Sequence, residues 1–115
     1  MLDDSTRYSL LKTLEARPAM SQREMAKRLG VSLGKINFCL NALVEKGCLK
    51  VDSFRNDSNK LAYAYLLTPQ GVDEVARMTV QFLRCKMHEY EQLRCEIETL
   101  KQEAEHRGLL ESAYD

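Results

Sequence analysis

The stretch from Ser21 to Gly47 constrains the fold most, because it holds a start signal and a stop signal for each of two short helices. Ser21 and Glu24 have the spacing of a capping box, in which both side chains bond to free backbone N–H groups. Gly30 can take the left-handed conformation of a helix end, and Ser32 can cap the next helix. The stretch therefore predicts a helix-turn-helix.

The second of these helices is expected from Leu33 to Lys46 and has two distinct faces. Apolar residues at three- and four-residue spacing predict a core-facing stripe made of Ile36, Cys39, Leu40 and Leu43. The outward and flanking positions near its start hold Gly34, Lys35, Asn37, Phe38 and Asn41. A lysine, two amides and a ring near the start of a helix are typical of a recognition helix, whose first residues contact base edges in the major groove.

Gly34 is the unexpected residue of that helix, since glycine lowers helix propensity by about 1 kcal/mol relative to alanine. Close approach of the backbone to DNA would explain it, and so would a lack of space beside the preceding helix. Both explanations stay open at this point. The first helix of the pair is expected to contact DNA phosphates through Ser21, Gln22 and Arg23. Ser32 and Gly34, at the start of the second helix, complete the expected DNA-binding set.

A further helix is predicted before this unit, at residues 5–16, where Tyr8, Leu11 and Leu14 form an apolar stripe that Leu10 widens. Pro18 ends it, because the residue before a proline is pushed out of the helical region.

Two β-prone runs follow the helix-turn-helix, Cys48–Phe54 and Leu61–Leu67, and they flank a polar loop rich in turn-forming residues. They predict a β-hairpin of the kind called a wing. The residues that could contact phosphates or the minor groove are Arg55, Asn56, Asn59 and Lys60. A solvated loop is the alternative, and the position directly after a helix-turn-helix favours the DNA contact.

The last segment predicts one long helix, with Thr68 as its cap and Pro69 at its first position. Neither glycine nor proline occurs between Gly71 and Gly108. A heptad pattern fits this helix and predicts a coiled-coil seam, whose residues are Leu83, Tyr90, Leu93, Ile97, Leu100 and Ala104. A helix folded back on its own domain, through Phe82, Leu83 and Met87, is the competing interpretation.

Charges beside the seam indicate how two such helices would pair. In a parallel dimer Glu89 would face Arg94 of the second copy, and Glu96 would face Lys101. An antiparallel pair would instead place like charges together. The pattern therefore favours a parallel homodimer with both DNA-binding units at the same end.

The net charge is zero, but the charges are unevenly distributed. Residues 1–60 hold 11 Lys and Arg against 7 Asp and Glu, whereas residues 61–115 hold 6 against 10. A basic first half suits a protein that presents one end to phosphates. The absence of a long apolar run and of a basic, apolar leader predicts a cytoplasmic protein with no membrane partner.

The sequence offers little to an enzyme or a metalloprotein. It has no glycine-rich phosphate loop, no paired nucleophile and base, and no cysteine or histidine spacing typical of zinc, so no cofactor is expected. Cys39, Cys48, Cys85 and Cys95 are expected to be reduced thiols, some of them buried as small hydrophobic residues, and a redox-sensing thiol is the alternative.

In this order, the elements resemble the winged-helix transcriptional regulators of the MarR type, and most closely the bacterial EPS-associated (exopolysaccharide-associated) MarR-family subgroup. The segments that carry the resemblance are Ser32–Gly47, Phe54–Gly71 and Thr79–Leu93. The resemblance implies sequence-specific promoter binding as a homodimer and a link to genes of surface polysaccharide synthesis. Better-known MarR proteins often bind small phenolic ligands; for this chain the sequence assigns no effector.

The resulting prediction is a mainly α protein with a small β-hairpin. It has a winged helix-turn-helix DNA-binding domain at residues 1–68, a dimerisation helix at 69–107 and a flexible tail at 108–115. The predicted function is a sequence-specific transcriptional regulator that binds double-stranded DNA as a homodimer. The alternative is an adaptor whose winged helix binds protein and whose coiled coil recruits a partner.

Overall fold

The protein is described by a computed structural model that covers residues 3–108, so the predicted tail lies almost entirely outside the described residues. The six elements are, in chain order, α1 (Asp4–Ala16), α2 (Gln22–Leu29), α3 (Leu33–Glu45), β1 (Leu49–Arg55), β2 (Leu61–Leu67) and α4 (Pro69–His106). This order confirms the predicted fold class, a mainly helical winged helix-turn-helix with one hairpin and a long C-terminal helix.

The first three helices begin where short polar side chains accept hydrogen bonds from free backbone N–H groups. The acceptors are Asp3 Oδ1 for the Thr6 N–H (2.6 Å), Ser21 Oγ for the Glu24 N–H (3.1 Å) and Ser32 Oγ for the Lys35 N–H (3.1 Å). Gly30 ends α2 in the left-handed conformation, with φ at +70°. The predicted caps Ser21 and Ser32 and the predicted stop Gly30 are therefore confirmed. The second half of the predicted capping box is not formed, because the carboxylate of Glu24 pairs with Arg17 at 3.4 Å.

The strand predicted at Cys48–Phe54 is displaced by one residue, because β1 begins at Leu49 and ends at Arg55. The backbone N–H of Cys48 donates to the Leu43 carbonyl (2.9 Å), so Cys48 closes the C-terminal turn of α3 instead of opening the strand. At the other end Arg55 pairs with Leu61 in the antiparallel register, which leaves 56–60 as the loop.

The chain divides into two units, residues 1–78 and 79–115. In the first unit, helices α1 to α3, both strands and the first turns of α4 enclose one apolar core. Its fully buried members include the predicted stripe of α3, together with Leu10, Leu11, Leu14, Met25 and Met78. This unit continues ten residues past the predicted boundary at residue 68, because Val75 and Met78 at the start of α4 are core residues.

The start of α4 lies against the turn that ends α3. Thr68 donates its hydroxyl to the Gly47 carbonyl (2.5 Å) and accepts from the Gly71 N–H (3.0 Å), as expected of a capping residue. A Cβ atom on Gly71 would lie 2.1 Å from the carbonyl oxygen of Cys48. Gly71 is therefore required for close approach of two backbone segments.

The second unit is the remainder of α4, and its apolar side chains are exposed. Leu83, Tyr90, Leu93, Ile97 and Leu100 keep 45–66% of their surface accessible to solvent. Ion pairs such as Lys86–Glu89 (3.1 Å) join neighbouring turns of the same helix. Within residues 3–108, no helix combines the length and the apolar character that a membrane span requires.

Candidate nucleic-acid interface

The outward face of α3 is exposed, apart from the half-buried Lys35 at its edge. Gly34, Asn37, Phe38 and Asn41 are all exposed, and the ring of Phe38 keeps 56% of its surface accessible. A Cβ atom built on Gly34 would have no neighbour within 4 Å. Lack of space beside α2 therefore does not explain this glycine, and the close approach of its backbone to DNA stays a prediction.

The amide side chains of this face are joined to each other and to the wing by a chain of hydrogen bonds. Asn41 Nδ2 lies 3.2 Å from Asn37 Oδ1, and Asn37 Nδ2 lies 3.4 Å from Gln22 Oε1 at the start of α2. Gln22 Nε2 lies 3.0 Å from the hydroxyl of Tyr65 on β2. Tyr65 is buried in the core, so one end of this amide chain is fixed by packing.

Lys35 stands at the edge of the same face, half-buried, with its Nζ 3.5 Å from the carboxylate of Asp3. The pKa of Asp3 is lowered, first by the hydrogen bond from the Thr6 backbone N–H, then by that from the Thr6 side chain and by the charge of Lys35. The lysine therefore has an anionic partner in the protein.

Two of the predicted DNA-binding residues, Ser21 and Ser32, are the capping residues of α2 and α3. Both therefore lie at helix N-termini, whose free N–H groups and positive dipole end favour anions. Arg23 follows in the first turn of α2 and is exposed. The structure thus places three polar groups suited to the DNA backbone around the two helix starts.

The conformation of the wing loop is stabilised by Asn56, one of the residues predicted to contact DNA. Asn56 Oδ1 accepts from the N–H groups of Ser58 and Lys60, both at 3.0 Å, and Asn59 adopts a left-handed conformation with φ at +57°. The two asparagines therefore shape the loop, and the exposed side chains of Arg55 and Lys60 flank it. A phosphate contact from the wing would come from these two cations.

A cleft of about 370 Å³ lies between the start of α2 and the hairpin. Its lining includes Gln22, Phe54, Asn56, Tyr63 and Tyr65. Sequence reasoning missed Tyr65, because an aromatic residue in a β-prone run is typical of a core strand and its hydroxyl carries no separate signal. Its bond to Gln22 joins residues 43 positions apart, which no local pattern reveals.

The described part of the chain contains no group of histidine, cysteine or acidic residues that could hold a metal ion. Cys39 and Cys48 are buried, and burial raises the pKa of both thiols, which keeps them protonated. Cys39 and Cys48 confirm the expectation that some of the cysteines are buried, whereas Cys85 and Cys95 are exposed on α4.

Comparison with known proteins gives the same architecture. Residues 3–50 match the family model described as winged helix-turn-helix DNA-binding, while no curated protein sequence matches the chain. Among solved structures, the PcaV transcriptional regulator of Streptomyces coelicolor, determined with its natural ligand, is similar at 22% identity and a TM-score of 0.65. That match covers 91% of this chain and 73% of PcaV.

Two further structures show the same likeness. MepR, a transcription regulator of a Staphylococcus aureus multidrug efflux pump, has 21% identity and a TM-score of 0.61, covering 94% of this chain and 78% of MepR. The zinc-dependent MarR-family regulator AdcR has 20% identity and a TM-score of 0.56, covering 98% of this chain and 75% of AdcR. The chain thus has a winged helix-turn-helix fold like that of MarR-family transcriptional regulators.

Proposed function

We propose that the protein is a DNA-binding transcriptional regulator of the MarR type. In this proposal α3 enters the major groove, the starts of α2 and α3 contact the sugar-phosphate backbone, and the wing contacts an adjacent phosphate or the minor groove. The observation that carries the proposal is the exposed face of α3, where Asn37, Phe38 and Asn41 stand clear of the core beside a glycine with open space around it.

The distribution of charge supports the same orientation. The excess of basic residues falls in the half of the chain that contains α2, α3 and the wing. Duplex DNA attracts such a surface because each neutralised phosphate releases condensed counterions. In this proposal α3 determines the sequence specificity, and the surrounding basic side chains provide most of the affinity for DNA.

Titration of duplex binding against salt tests this proposal. The double variant Lys35→Ala with Arg55→Ala should bind duplex DNA more weakly, and its salt dependence should fall by about one to two phosphate contacts. The matched control, Lys12→Ala with Arg84→Ala, removes the same charge outside the proposed interface. Equal affinities of the wild type and the first variant would contradict the proposal.

We also propose that the protein is a parallel homodimer formed through α4. The support is the exposed apolar stripe from Leu83 to Leu100 and the charge pattern beside it, which sets acidic against basic residues only when the helices are parallel. Such a dimer presents two recognition helices, so its operator should be an inverted repeat with half-sites about one helical turn apart. A footprint on one isolated half-site would contradict this arrangement.

The target genes are a finer proposal, supported only by the resemblance of three sequence blocks to the EPS-associated subgroup. We propose that the regulated promoters include those of exopolysaccharide synthesis, which places the protein in the cytoplasm with the chromosome. Genome-wide mapping of bound sites tests this directly. Binding sites confined to unrelated promoters would contradict the target but leave the DNA-binding function intact.

A further inference from the structure

We propose that the amide chain anchored by Tyr65 makes α3 selective for adenine, with thymine beside it, in each half-site. Asn37 would be the residue that reads the adenine, and Tyr65 would be a positioning residue that never touches DNA. This inference rests on the proposed DNA-binding function and adds to it the class of base pair that is recognised.

The geometry of the chain supports a preset orientation for Asn37. Its amide lies between two neighbours, 3.4 Å from Gln22 on one side and 3.2 Å from Asn41 on the other. Gln22 is itself bonded to the hydroxyl of Tyr65 at 3.0 Å, and the ring of Tyr65 is only 8% exposed. An exposed amide on a helix would otherwise sample several rotamers, so this anchor lowers the entropy lost when a base is bound.

The number of donors and acceptors decides what Asn37 can recognise. A carboxamide has two N–H donors and two carbonyl lone pairs, and the chain uses one of each on Asn37. The tyrosine hydroxyl can donate or accept, so the whole chain can run in either direction. In both directions Asn37 keeps one donor and one acceptor, which is the pair that adenine N7 and N6 require for a bidentate contact.

The rest of the face favours the same base pair. The exposed ring of Phe38 is suited to the methyl group of thymine, which is an apolar feature of the major groove. Guanine is usually read by arginine or lysine, and the only basic residue within Leu33–Glu45 is Lys35, which pairs with Asp3. The recognition face is therefore rich in groups for adenine and thymine and poor in groups for guanine.

Selection from a pool of randomised DNA duplexes tests the inference, followed by affinity measurements on the enriched duplex and on its adenine-to-guanine substitutions. The wild type should enrich half-sites that contain adenine and thymine. Asn37→Ala should lose about tenfold or more of the discrimination between adenine and guanine at one position. Tyr65→Phe keeps the buried ring and removes the hydroxyl, and it should lose roughly threefold to tenfold at the same position.

Two further measurements separate positioning from general damage. The salt dependence of binding by Tyr65→Phe should equal that of the wild type, because its phosphate contacts are unchanged. The control Tyr63→Phe alters a half-exposed tyrosine of the same strand and should leave discrimination unchanged. Tyr65→Phe combined with Asn37→Ala should discriminate no worse than Asn37→Ala alone, since both act through one contact.

The outcomes distinguish this inference from the function on which it rests. Absence of any enriched sequence would overturn the proposed function and the inference together. An enriched site whose adenine preference survives Asn37→Ala would overturn the inference alone. Loss of discrimination in Asn37→Ala with none in Tyr65→Phe would overturn the positioning role of Tyr65.

Discussion

The first unit and the helix beyond Met78 both carry apolar residues at helical spacing, yet these residues end in opposite environments. In α3 the stripe of Ile36, Cys39, Leu40 and Leu43 is completely buried, whereas Leu83, Tyr90 and Leu93 on α4 are more than half exposed. Periodicity shows that a helix has a face to bury, and it does not show what covers that face. In the first unit the cover is the same chain; for α4 we propose that it is a second copy.

The largest expected effect comes from placing a charge in the proposed seam. Ile97→Lys should convert the dimer to monomers, because an unpaired ammonium group costs several kcal/mol when it is removed from water. Sedimentation velocity measures the change directly. The control Gln92→Lys places the same charge on an exposed position outside the seam and should leave the dimer intact. A dimer that persists in Ile97→Lys would show that the heptad assignment is wrong.

The next effect distinguishes a core within one chain from an interface between chains. Leu40→Ala removes a fully buried side chain and should lower the free energy of unfolding by about 2–5 kcal/mol. Truncation at the seam, Leu100→Ala, should instead produce a loss that depends on protein concentration. Urea denaturation at several protein concentrations separates the two. Stability losses that respond identically to concentration would contradict the division into core and interface.

Two helical glycines give a smaller and more local test. Gly71→Ala would place a Cβ atom 2.1 Å from a backbone oxygen of Cys48, so it should destabilise the first unit by about 1–3 kcal/mol. Gly34→Ala meets no atom within 4 Å and should stabilise it by up to about 1 kcal/mol. Thermal unfolding of both variants checks the opposite signs. Stabilisation by Gly71→Ala would mean that the two backbone segments can separate at little cost.

Gly34→Ala also tests whether the exposed face of α3 binds DNA. If α3 closely approaches DNA, the stabilised variant should bind duplex DNA more weakly than the wild type. That combination, a higher melting temperature with a lower affinity, is not expected of a glycine without a partner.

Local signals predicted most of the first unit. Capping side chains such as Ser21 and Ser32 bond within three residues, and Gly30 acts through its own φ, so neighbouring sequence contains the necessary information. The parts that escaped prediction depend on contacts between distant segments. The need for glycine at position 71 comes from the nearby carbonyl of Cys48, and the side chain of Gln22 is held by the hydroxyl of Tyr65. Neither pair has a spacing that a helix or strand pattern would show.

The orientation of the two α4 helices gives a smaller effect than the seam itself. Glu96→Lys should weaken a parallel dimer, and adding Lys101→Glu in the same chain should restore it, because the opposite charges are exchanged across the interface. Each exposed pair is worth about 1 kcal/mol or less, so the dissociation constant is the sensitive measurement. If the double variant dissociates as readily as Glu96→Lys alone, the helices are not paired in the parallel orientation.

The smallest expected effect concerns ion pairs, which again differ between the units. Lys86–Glu89 joins adjacent turns of one helix, whereas Arg7 on α1 lies 3.4 Å from Glu74 on α4 and links two elements of the first unit. The pKa of Glu74 is lowered below its usual value of 4.5, chiefly by the hydrogen bond from Arg77 and then by the charges of Arg77 and Arg7. A carboxyl group whose pKa is lower in the folded than in the unfolded chain stabilises the folded state at pH values above the pKa of the unfolded chain.

That stabilisation should disappear as the pH falls through the lowered pKa. The wild type should therefore lose more stability than Glu74→Gln when the pH falls below 4.5, by about 1 kcal/mol or less for a partly exposed group. Melting temperatures measured across the acid range check this, with Glu98→Gln as the control at an exposed position of α4 outside the proposed seam and its charge pairs. Parallel pH profiles for the wild type and Glu74→Gln would mean that the ion pairs of Glu74 with Arg77 and Arg7 do not contribute to the stability of the first unit.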